Sequence, residues 1–276
     1  MYEREIWGMK NKIISIVIAS IVLVVGVLGF KIFTTKNVEE TSVYSEKSYI
    51  FNKIKNETLA NIIDDATSQI HKGPGPSPEK IAYITIDDGP SKYTNEILDV
   101  LKKNNIKATF FMIEGNMKKH KEEVKNVQKE GHSVGFHSVS HDIKQLYKSP
   151  EATLKEFDTC NNTFYNITGD VSKLIRLPYG SKPYMPDESH NILDKNGYLM
   201  WDWNLDTEDW RATTDKIVSN VLYYGRDRQH LVVLMHEKEQ TVKALDGMIK
   251  ILKERGYTIL PITEYTKPRN FWDKNL

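Results

Sequence analysis

Two kinds of apolar pattern alternate along the chain from Ile81 onward: short apolar runs of strand length, and longer amphipathic segments of helix length. The predicted strands are 81–87, 108–113, 133–137, 174–178, 198–206, 230–236 and 257–263. The predicted helices lie near 94–104, 118–130, 150–166, 186–196, 213–224 and 239–255. Seven strands with intervening helices predict a parallel α/β domain, either an open doubly wound sheet or a (β/α) barrel.

The N-terminal part of the chain has a different pattern. Residues 13–30 contain no charged side chain, and 18 residues of helix span about 27 Å, close to the apolar thickness of a bilayer. We therefore predict an uncleaved transmembrane anchor over residues 13–33. A cleaved signal peptide is the alternative, but no small-residue cleavage site follows the run. Three basic residues precede the run and two follow it, which favours a cytoplasmic N-terminus and an extracellular main domain.

These patterns divide the chain into five predicted parts. They are a cytoplasmic N-terminus (1–12), the anchor (13–33), an extracellular spacer (34–79), the main domain (80–265) and a C-terminal tail (266–276). The spacer contains a helical apolar stripe over 48–71, which either forms an exposed stalk or packs on the main domain. Met9 is an alternative start of the natural chain.

Composition and charge exclude several kinds of protein. The chain has 38 Lys and Arg against 37 Asp and Glu, so it lacks the basic excess of most nucleic-acid-binding domains. Cys160 is the single cysteine, which excludes a disulfide framework and a cysteine-rich zinc site. Any metal ion must therefore be held by His, Asp or Glu.

Polar residues follow the ends of the predicted strands, where parallel α/β domains place their chemistry. Asp87 and Asp88 end the first strand, and strand alternation predicts that their side chains point to opposite sides. His137 and His141 follow the third strand at a spacing that, on a helical turn, puts both imidazoles on one face. One Asp and this pair would make a two-histidine, one-carboxylate metal site. His236 ends the sixth strand.

Two further strand ends are chemically suggestive. Arg176 ends the fourth strand and is either an ion-pair partner for the carboxylates or an ordinary surface arginine. The segment 201–210 contains three tryptophans and four acidic residues. Its aromatic rings either fill the core or form a wall on which sugars stack.

The ordered motifs TIDDG, HSVSH, RLPYG, DTEDW and LMH resemble the five motifs of the NodB-type polysaccharide deacetylases, carbohydrate esterase family 4. The resemblance covers about residues 80–265 and implies a distorted (β/α) barrel. Ile86 departs from the family, which more often has Phe at this packing position.

The resemblance implies a metal and a base. Asp88, His137 and His141 would hold a divalent ion, with Zn²⁺ expected first and Co²⁺ or another divalent transition metal as alternatives. Asp87 would be the general base that takes a proton from the attacking water. Arg176 would pair with Asp87 and keep it ionised.

The resemblance also implies an acid and a substrate pocket. The backbone N–H of Tyr179 would help to stabilise the oxyanion. His236 would protonate the leaving amine, with Asp209 orienting its ring. Trp210 and Leu234 would line the pocket for the acetyl methyl group.

The expected substrate follows from this chemistry and from the expected location. A single-pass protein whose catalytic domain faces the cell wall would meet peptidoglycan, so we expect removal of N-acetyl groups from its N-acetylglucosamine residues. Chitin oligomers, poly-N-acetylglucosamine and N-acetylmuramic acid are alternative substrates. An O-acetyl xylan esterase and a non-catalytic surface sugar-binding protein are alternative functions.

Overall fold

The computed structural model describes residues 80–276, which form eight strands and eight helices. The predicted anchor (13–33) and spacer (34–79) lie outside the described residues. Among residues 80–276, no helix combines the length and the apolar character needed to cross a membrane.

The elements are numbered along the chain. The strands are β1 (Ile81–Asp87), β2 (Thr109–Met112), β3 (Ser133–Phe136), β4 (Leu174–Ile175), β5 (Leu199–Met200), β6 (Leu205–Asp206), β7 (His230–His236) and β8 (Thr258–Ile259). The helices are α1 (Thr94–Lys103), α2 (Glu114–Lys119), α3 (Lys121–Lys129), α4 (Ile143–Leu146), α5 (Pro150–Thr168), α6 (Asp187–Lys195), α7 (Thr214–Tyr224) and α8 (Glu239–Glu254).

All pairs of neighbouring strands are parallel, in the order β5-β4-β3-β2-β1-β7-β6, and β8 pairs with the beginning of β1. The edge strands β5 and β6 are consecutive in the chain, so only residues 201–204 separate the two ends of the sheet. Five Cα–Cα steps reach at most about 18 Å, which forces the sheet to curl. No strand pairing within residues 80–276 joins β5 to β6. The result is a curled half-barrel, consistent with the predicted distorted barrel.

Residues that alternate along β1 pack into two different cores. Ala82, Ile84 and Ile86 belong to the larger core between the sheet and the helices, whereas Tyr83 belongs to a smaller cluster with Phe111 and Trp201. Burying each large apolar side chain contributes about 1.5–3 kcal/mol, so the helix-covered face supplies most of the apolar stabilisation. The smaller cluster marks the inner face of the curl, and Thr85 and Asp87 share that face with Tyr83.

The predicted strand 198–206 is interrupted, because its middle leaves the sheet. The backbone N–H of Asp202 donates to Arg269 O (2.9 Å), and its carboxylate accepts from the backbone N–H groups of Ser181 (2.9 Å) and Phe271 (2.7 Å). The C-terminal tail is thereby fastened to the inner side of the curl, and Asn270 is buried within it.

The helix predictions need two corrections. The predicted helix 118–130 is two helices, since the backbone of His120 (φ −123°, ψ 52°) separates α2 from α3. The short helix α4 was not predicted; the carboxylate of Asp142 caps it by accepting from the N–H of Lys144 (2.8 Å).

Candidate active site

Asp88, His137 and His141 form a cluster that can hold a metal ion at the carboxyl ends of β1 and β3. One ligand atom from each lies within 4.8 Å of the others. Oδ1 of Asp88 is 3.6 Å from Nε2 of His137 and 3.4 Å from Nε2 of His141. This oxygen is buried and has no hydrogen-bond partner among the described residues, which is costly for a carboxylate without a cation. Two imidazoles and one carboxylate therefore fit a divalent transition metal.

The two histidines meet in a loop, and the predicted helical turn is wrong. Ser138 (φ 73°) and His141 (φ 50°) have left-handed backbone conformations that a helix does not contain. The hydroxyl of Ser138 accepts from the N–H of His141 (2.9 Å), and Glu156 on α5 accepts from the N–H groups of Val139 and Ser140. These bonds fold the loop so that the two imidazole centroids lie 5.0 Å apart.

The backbone sets the orientation of His137. Nδ1 of its ring lies 2.8 Å from Arg176 O, and a carbonyl only accepts, so Nδ1 carries the proton. Nε2 is then left with its lone pair directed at Asp88. Burial lowers the pKa of His137 to about 3, which keeps the ring neutral and able to bind a cation.

Asp87 lies beside this cluster but has a separate partner. Its side chain is almost fully buried, and Oδ1 accepts from Nη1 of Arg176 (3.0 Å), while Oδ2 is 3.9 Å from Nε2 of His137. Burial raises the pKa of Asp87, and the charge of Arg176 opposes this rise. A buried carboxylate with a raised pKa and one free oxygen has the properties of a general base.

Arg176 is a buried ion-pair partner and not a surface arginine. Besides Asp87, its guanidinium donates to Thr85 Oγ1 (2.6 Å), Trp201 O (3.1 Å) and Asp202 O (3.0 Å). Because all three nitrogens of the planar group donate hydrogen bonds, the guanidinium holds the Asp87 carboxylate in a fixed place.

A second polar pair lies on the neighbouring strand. β1 and β7 pair so that Asp87 is opposite His236. Nδ1 of His236 lies 2.7 Å from Oδ1 of the fully buried Asp209. Burial alone would lower the pKa of His236, but the hydrogen bond and charge of Asp209 outweigh it, and the pKa is raised. The outcome is an imidazole suited to donating a proton from Nε2.

Comparison with known proteins shows which family this chain belongs to. The family model described as polysaccharide deacetylase matches residues 74–201. The chain is 40% identical to a peptidoglycan-N-acetylglucosamine deacetylase of Bacillus cereus, over 71% of this chain and 74% of that protein. This chain belongs to the polysaccharide deacetylase family. As a member, the deacetylase is a hydrolase that acts on N-acetyl groups of polysaccharides.

A second relative matches more of the chain, and a crystal structure matches its fold. The deacetylase is 35% identical to YheN of Bacillus subtilis over 90% of this chain and 92% of that protein, a stretch that includes the DTEDW and LMH motifs. The crystal structure of the polysaccharide deacetylase Bc1974 from Bacillus cereus matches with a TM-score of 0.68 at 40% identity, covering 71% of this chain and 98% of that one.

Tyr179 lies at the rim of the metal cluster. Its ring centroid is 5.3 Å from that of His141, its side chain is exposed, and its backbone adopts a left-handed conformation (φ 64°). Within residues 80–276, no acceptor is paired with its backbone N–H. In the deacetylase this N–H is therefore available to a ligand.

The two residues predicted to line the acetyl pocket, Leu234 and Trp210, differ in burial. Leu234 is buried on β7, on the same face as His236 and opposite Thr85. Trp210 is 54% exposed next to Asp209, and the guanidinium of Arg211 lies 4.8 Å from the centre of its ring. Their shared role at the acetyl methyl group stays a prediction.

Sequence reasoning missed Glu237, which follows His236 and is buried. Its Oε2 accepts from the hydroxyl of Ser91 (2.6 Å), in the loop that follows Asp88, and from the hydroxyl of Thr94 (2.7 Å), the first residue of α1. A methyl group on Gly89 would lie only 2.1 Å from its Oε1. Glu237 therefore braces the turn that holds Asp88. The acidic residue directly after the LMH motif was the available signal, but its partners are more than 140 positions away.

Proposed function

We propose that the deacetylase removes N-acetyl groups from the N-acetylglucosamine residues of peptidoglycan with the help of a divalent ion. One observation carries the proposal: the metal cluster, Asp87 and the His236–Asp209 pair all lie at the carboxyl ends of strands of one parallel sheet, namely β1, β3 and β7. The substrate is taken from the B. cereus relative, whose name specifies peptidoglycan N-acetylglucosamine.

Asp88, His137 and His141 would hold the ion, for which the mixed nitrogen and oxygen donor set favours Zn²⁺. When bound, a divalent ion acidifies water and polarises the acyl carbonyl. His137 is prepared for this role because its proton is fixed on Nδ1 by Arg176 O.

Asp87 acts as the general base in this proposal. Arg176 occupies Oδ1, which leaves Oδ2 on the side of His137 to accept a proton from the attacking water. The raised pKa that burial gives the carboxyl increases its affinity for that proton. Arg176 meanwhile keeps the resting carboxyl ionised and in position.

His236 and Tyr179 act on the other side of the substrate. Nδ1 of His236 is bound to Asp209, so Nε2 holds the proton that the departing amine needs. The unpaired backbone N–H of Tyr179 would donate to the oxygen that becomes negative in the transition state.

We propose that residues 13–33 remain in the mature protein as a membrane anchor and that the catalytic domain faces the cell wall. The support is the uncharged run of 18 residues at 13–30. N-terminal sequencing of protein from the membrane fraction tests this, and a mature start beyond residue 30 would refute it.

The substrate is tested by acetate release from purified peptidoglycan, chitin oligomers and acetylated xylan, compared as kcat/KM. Mass spectrometry of the digested peptidoglycan then assigns the deacetylated sugar. The proposal requires peptidoglycan to be the best substrate and glucosamine to be the product. Preference for xylan would indicate an O-acetyl esterase, and loss of acetyl from muramic acid would move the specificity to the neighbouring sugar.

A further inference from the structure

The loop between β4 and α6, residues 176–186, presents the backbone N–H of Tyr179 in a strained conformation. Tyr179 (φ 64°) and Gly180 (φ 89°) are consecutive residues with left-handed backbones. The Cβ atom of a tyrosine disfavours this region, so the conformation persists only where neighbouring contacts hold it. Before Tyr179 the loop is closed by one bond, from the N–H of Gly180 to Leu177 O (3.0 Å). The contacts of Ser181 decide whether the loop is also held after the strained pair.

Asp202 holds the loop directly after this pair. Its side chain is fully buried, Oδ1 accepts from the N–H of Ser181 (2.9 Å), and Oδ2 accepts from the hydroxyl of Ser181 (2.5 Å). The backbone O of Asp202 also accepts from Nη2 of Arg176 (3.0 Å). One buried residue therefore contacts both the loop that presents Tyr179 and the arginine that holds Asp87.

The C-terminal tail is bonded to the same carboxylate and to the same serine. Oδ2 of Asp202 accepts from the N–H of Phe271 (2.7 Å), and the hydroxyl of Ser181 accepts from the N–H of Trp272 (3.1 Å). The ring of Trp272 also packs on the loop, since Nζ of Lys182 lies 3.2 Å from its centroid. The loop and the tail thus form one hydrogen-bonded unit with Asp202 at its centre.

We propose that Asp202 is a positioning residue, which aims the backbone N–H of Tyr179 at the oxygen of the reacting acetyl group. The inference rests on the proposed function, in which this N–H donates to the negative charge that develops in the transition state. Such donors are effective because they are fixed before the reaction, and a displacement of about 1 Å costs roughly 10²-fold in rate. Without the carboxylate, the N–H of Ser181 loses its acceptor and the strained pair is free to relax.

Asp202→Asn tests this contact at almost unchanged side-chain volume. The amide has a single acceptor oxygen, so it cannot serve the N–H of Ser181 at Oδ1 and the N–H of Phe271 at Oδ2 together. Hydrogen–deuterium exchange read by mass spectrometry should be faster in peptides that contain these two residues, whether or not the chain is active. Unchanged exchange in both peptides would overturn the proposal.

Kinetics separate a positioning role from a purely structural one. In Asp202→Asn, kcat should fall about 10- to 100-fold while KM and bound Zn²⁺ stay nearly unchanged, because the negative oxygen forms only in the transition state. We expect the same proportional loss on an N-acetylglucosamine oligomer and on an aryl acetate, since both reactions develop this charge. Loss of His236 should instead affect the ester much less, because that leaving group needs no proton.

Ser181→Ala is a milder variant that keeps the proposal testable if Asp202→Asn does not fold. It removes the hydroxyl that bonds to Asp202 and Trp272 but keeps the backbone N–H of residue 181. It should lower kcat about three- to tenfold with the same pattern on the two substrates. A kcat equal to that of the unsubstituted chain in both variants would overturn the proposal.

Glu264→Gln is the matched control for the change of a carboxylate to an amide. Glu264 is half-buried, and its Oε1 accepts from the backbone N–H of Lys173 (3.2 Å), just before β4 and away from the loop at its other end. This variant should keep its kcat, and thermal unfolding compares its stability with that of Asp202→Asn. If Asp202→Asn loses stability but no more kcat than the control, the role is structural and the proposal is wrong. Absence of acetate release by the unsubstituted chain from both substrates is a distinct result, which would overturn the proposed function and this role with it.

Discussion

Nδ1 of His236 lies 2.7 Å from Oδ1 of Asp209, and the same carboxylate also accepts the backbone N–H of His236 through Oδ2 (2.6 Å). The hydroxyl of Thr241 on α8 donates to Oδ2 as well (2.5 Å). Asp209 is therefore fully engaged, and it fixes both the ring and the backbone of His236. The imidazole is left with a single orientation, in which Nε2 is free for the substrate.

The acid role of His236 predicts a loss that depends on the leaving group. His236→Ala should lower kcat on an N-acetylglucosamine oligomer about 10²–10⁴-fold, the usual contribution of general acid–base catalysis. On an aryl acetate the loss should be much smaller, because that leaving group departs without a proton. Steady-state kinetics on both substrates checks this, and equal proportional losses would exclude the acid role.

The pH profile should depend on Asp209. Because the pKa of His236 is raised, the ring stays protonated to a higher pH than an ordinary histidine, and kcat should fall as the pH rises through this pKa. Asp209→Asn removes the negative charge that raises the pKa of His236, so the lowering of this pKa by burial is no longer opposed by that charge. Its descending limb should therefore move to lower pH, with a lower maximum. Asp246→Asn is the control, because Asp246 is a half-buried acid on α8 that pairs with Lys103 and Lys250. An unmoved limb in Asp209→Asn would contradict the assignment.

The metal cluster predicts which histidines matter. His137→Ala and His141→Ala should each weaken Zn²⁺ binding by more than about 100-fold while the domain remains folded, since each removes one of three ligands. Elemental analysis after dialysis and thermal unfolding measure the two properties. His120→Ala, at a half-exposed histidine outside the cluster, should keep its metal. Full occupancy in either ligand variant would refute the ligand set.

The packing of Glu237 against Gly89 predicts that a substitution at one position compensates for a substitution at the other. Gly89→Ala places a methyl group about 2 Å from Oε1 of Glu237, so alone it should lower both stability and metal affinity. Glu237→Ala removes the obstruction, and the double variant should be less impaired than the sum of the single variants. Unfolding midpoints and Zn²⁺ titrations measure this. Gly115→Ala is the control, because its added methyl group has no neighbouring atom within 4 Å. Strictly additive losses in the double variant would contradict the proposed contact between Glu237 and the turn at Gly89.

Much of the sheet was predictable, because long buried strands have a clear pattern. β1 and β7 have the predicted bounds, and the polar residues at their ends are brought together by direct pairing. The break in 198–206 was not predictable, since it depends on bonds between Asp202 and a tail almost 70 residues later. The pattern of apolar residues in a segment does not predict hydrogen bonds to residues so far away in the sequence.

The side chains of Asp87 and Asp88 show a second limit of pattern reasoning. Strand alternation predicted that they point to opposite sides, and this was wrong. Oδ2 of Asp87 and Oδ1 of Asp88 both lie within 4 Å of Nε2 of His137. The reason is the left-handed backbone of Asp88 (φ 70°), which ends the strand conformation between the two carboxylates. Such strain is typical of functional sites and is invisible in an apolar pattern.

Even so, the two carboxylates have different partners, and substitution should separate them. Asp87→Asn should keep its metal but lose turnover by at least about 10²-fold, because an amide occupies the same space and cannot accept the proton. Asp88→Asn should chiefly lose metal, because its Oδ1 faces both imidazoles.

Acetate release from purified peptidoglycan, measured beside the bound metal of the same samples, tests the central claim most directly. The unsubstituted chain should release acetate from N-acetylglucosamine residues, and Asp87→Asn should release almost none at equal metal content. Peptidoglycan left fully acetylated by the metal-loaded chain, or an Asp87→Asn variant as active as the original, would contradict the account.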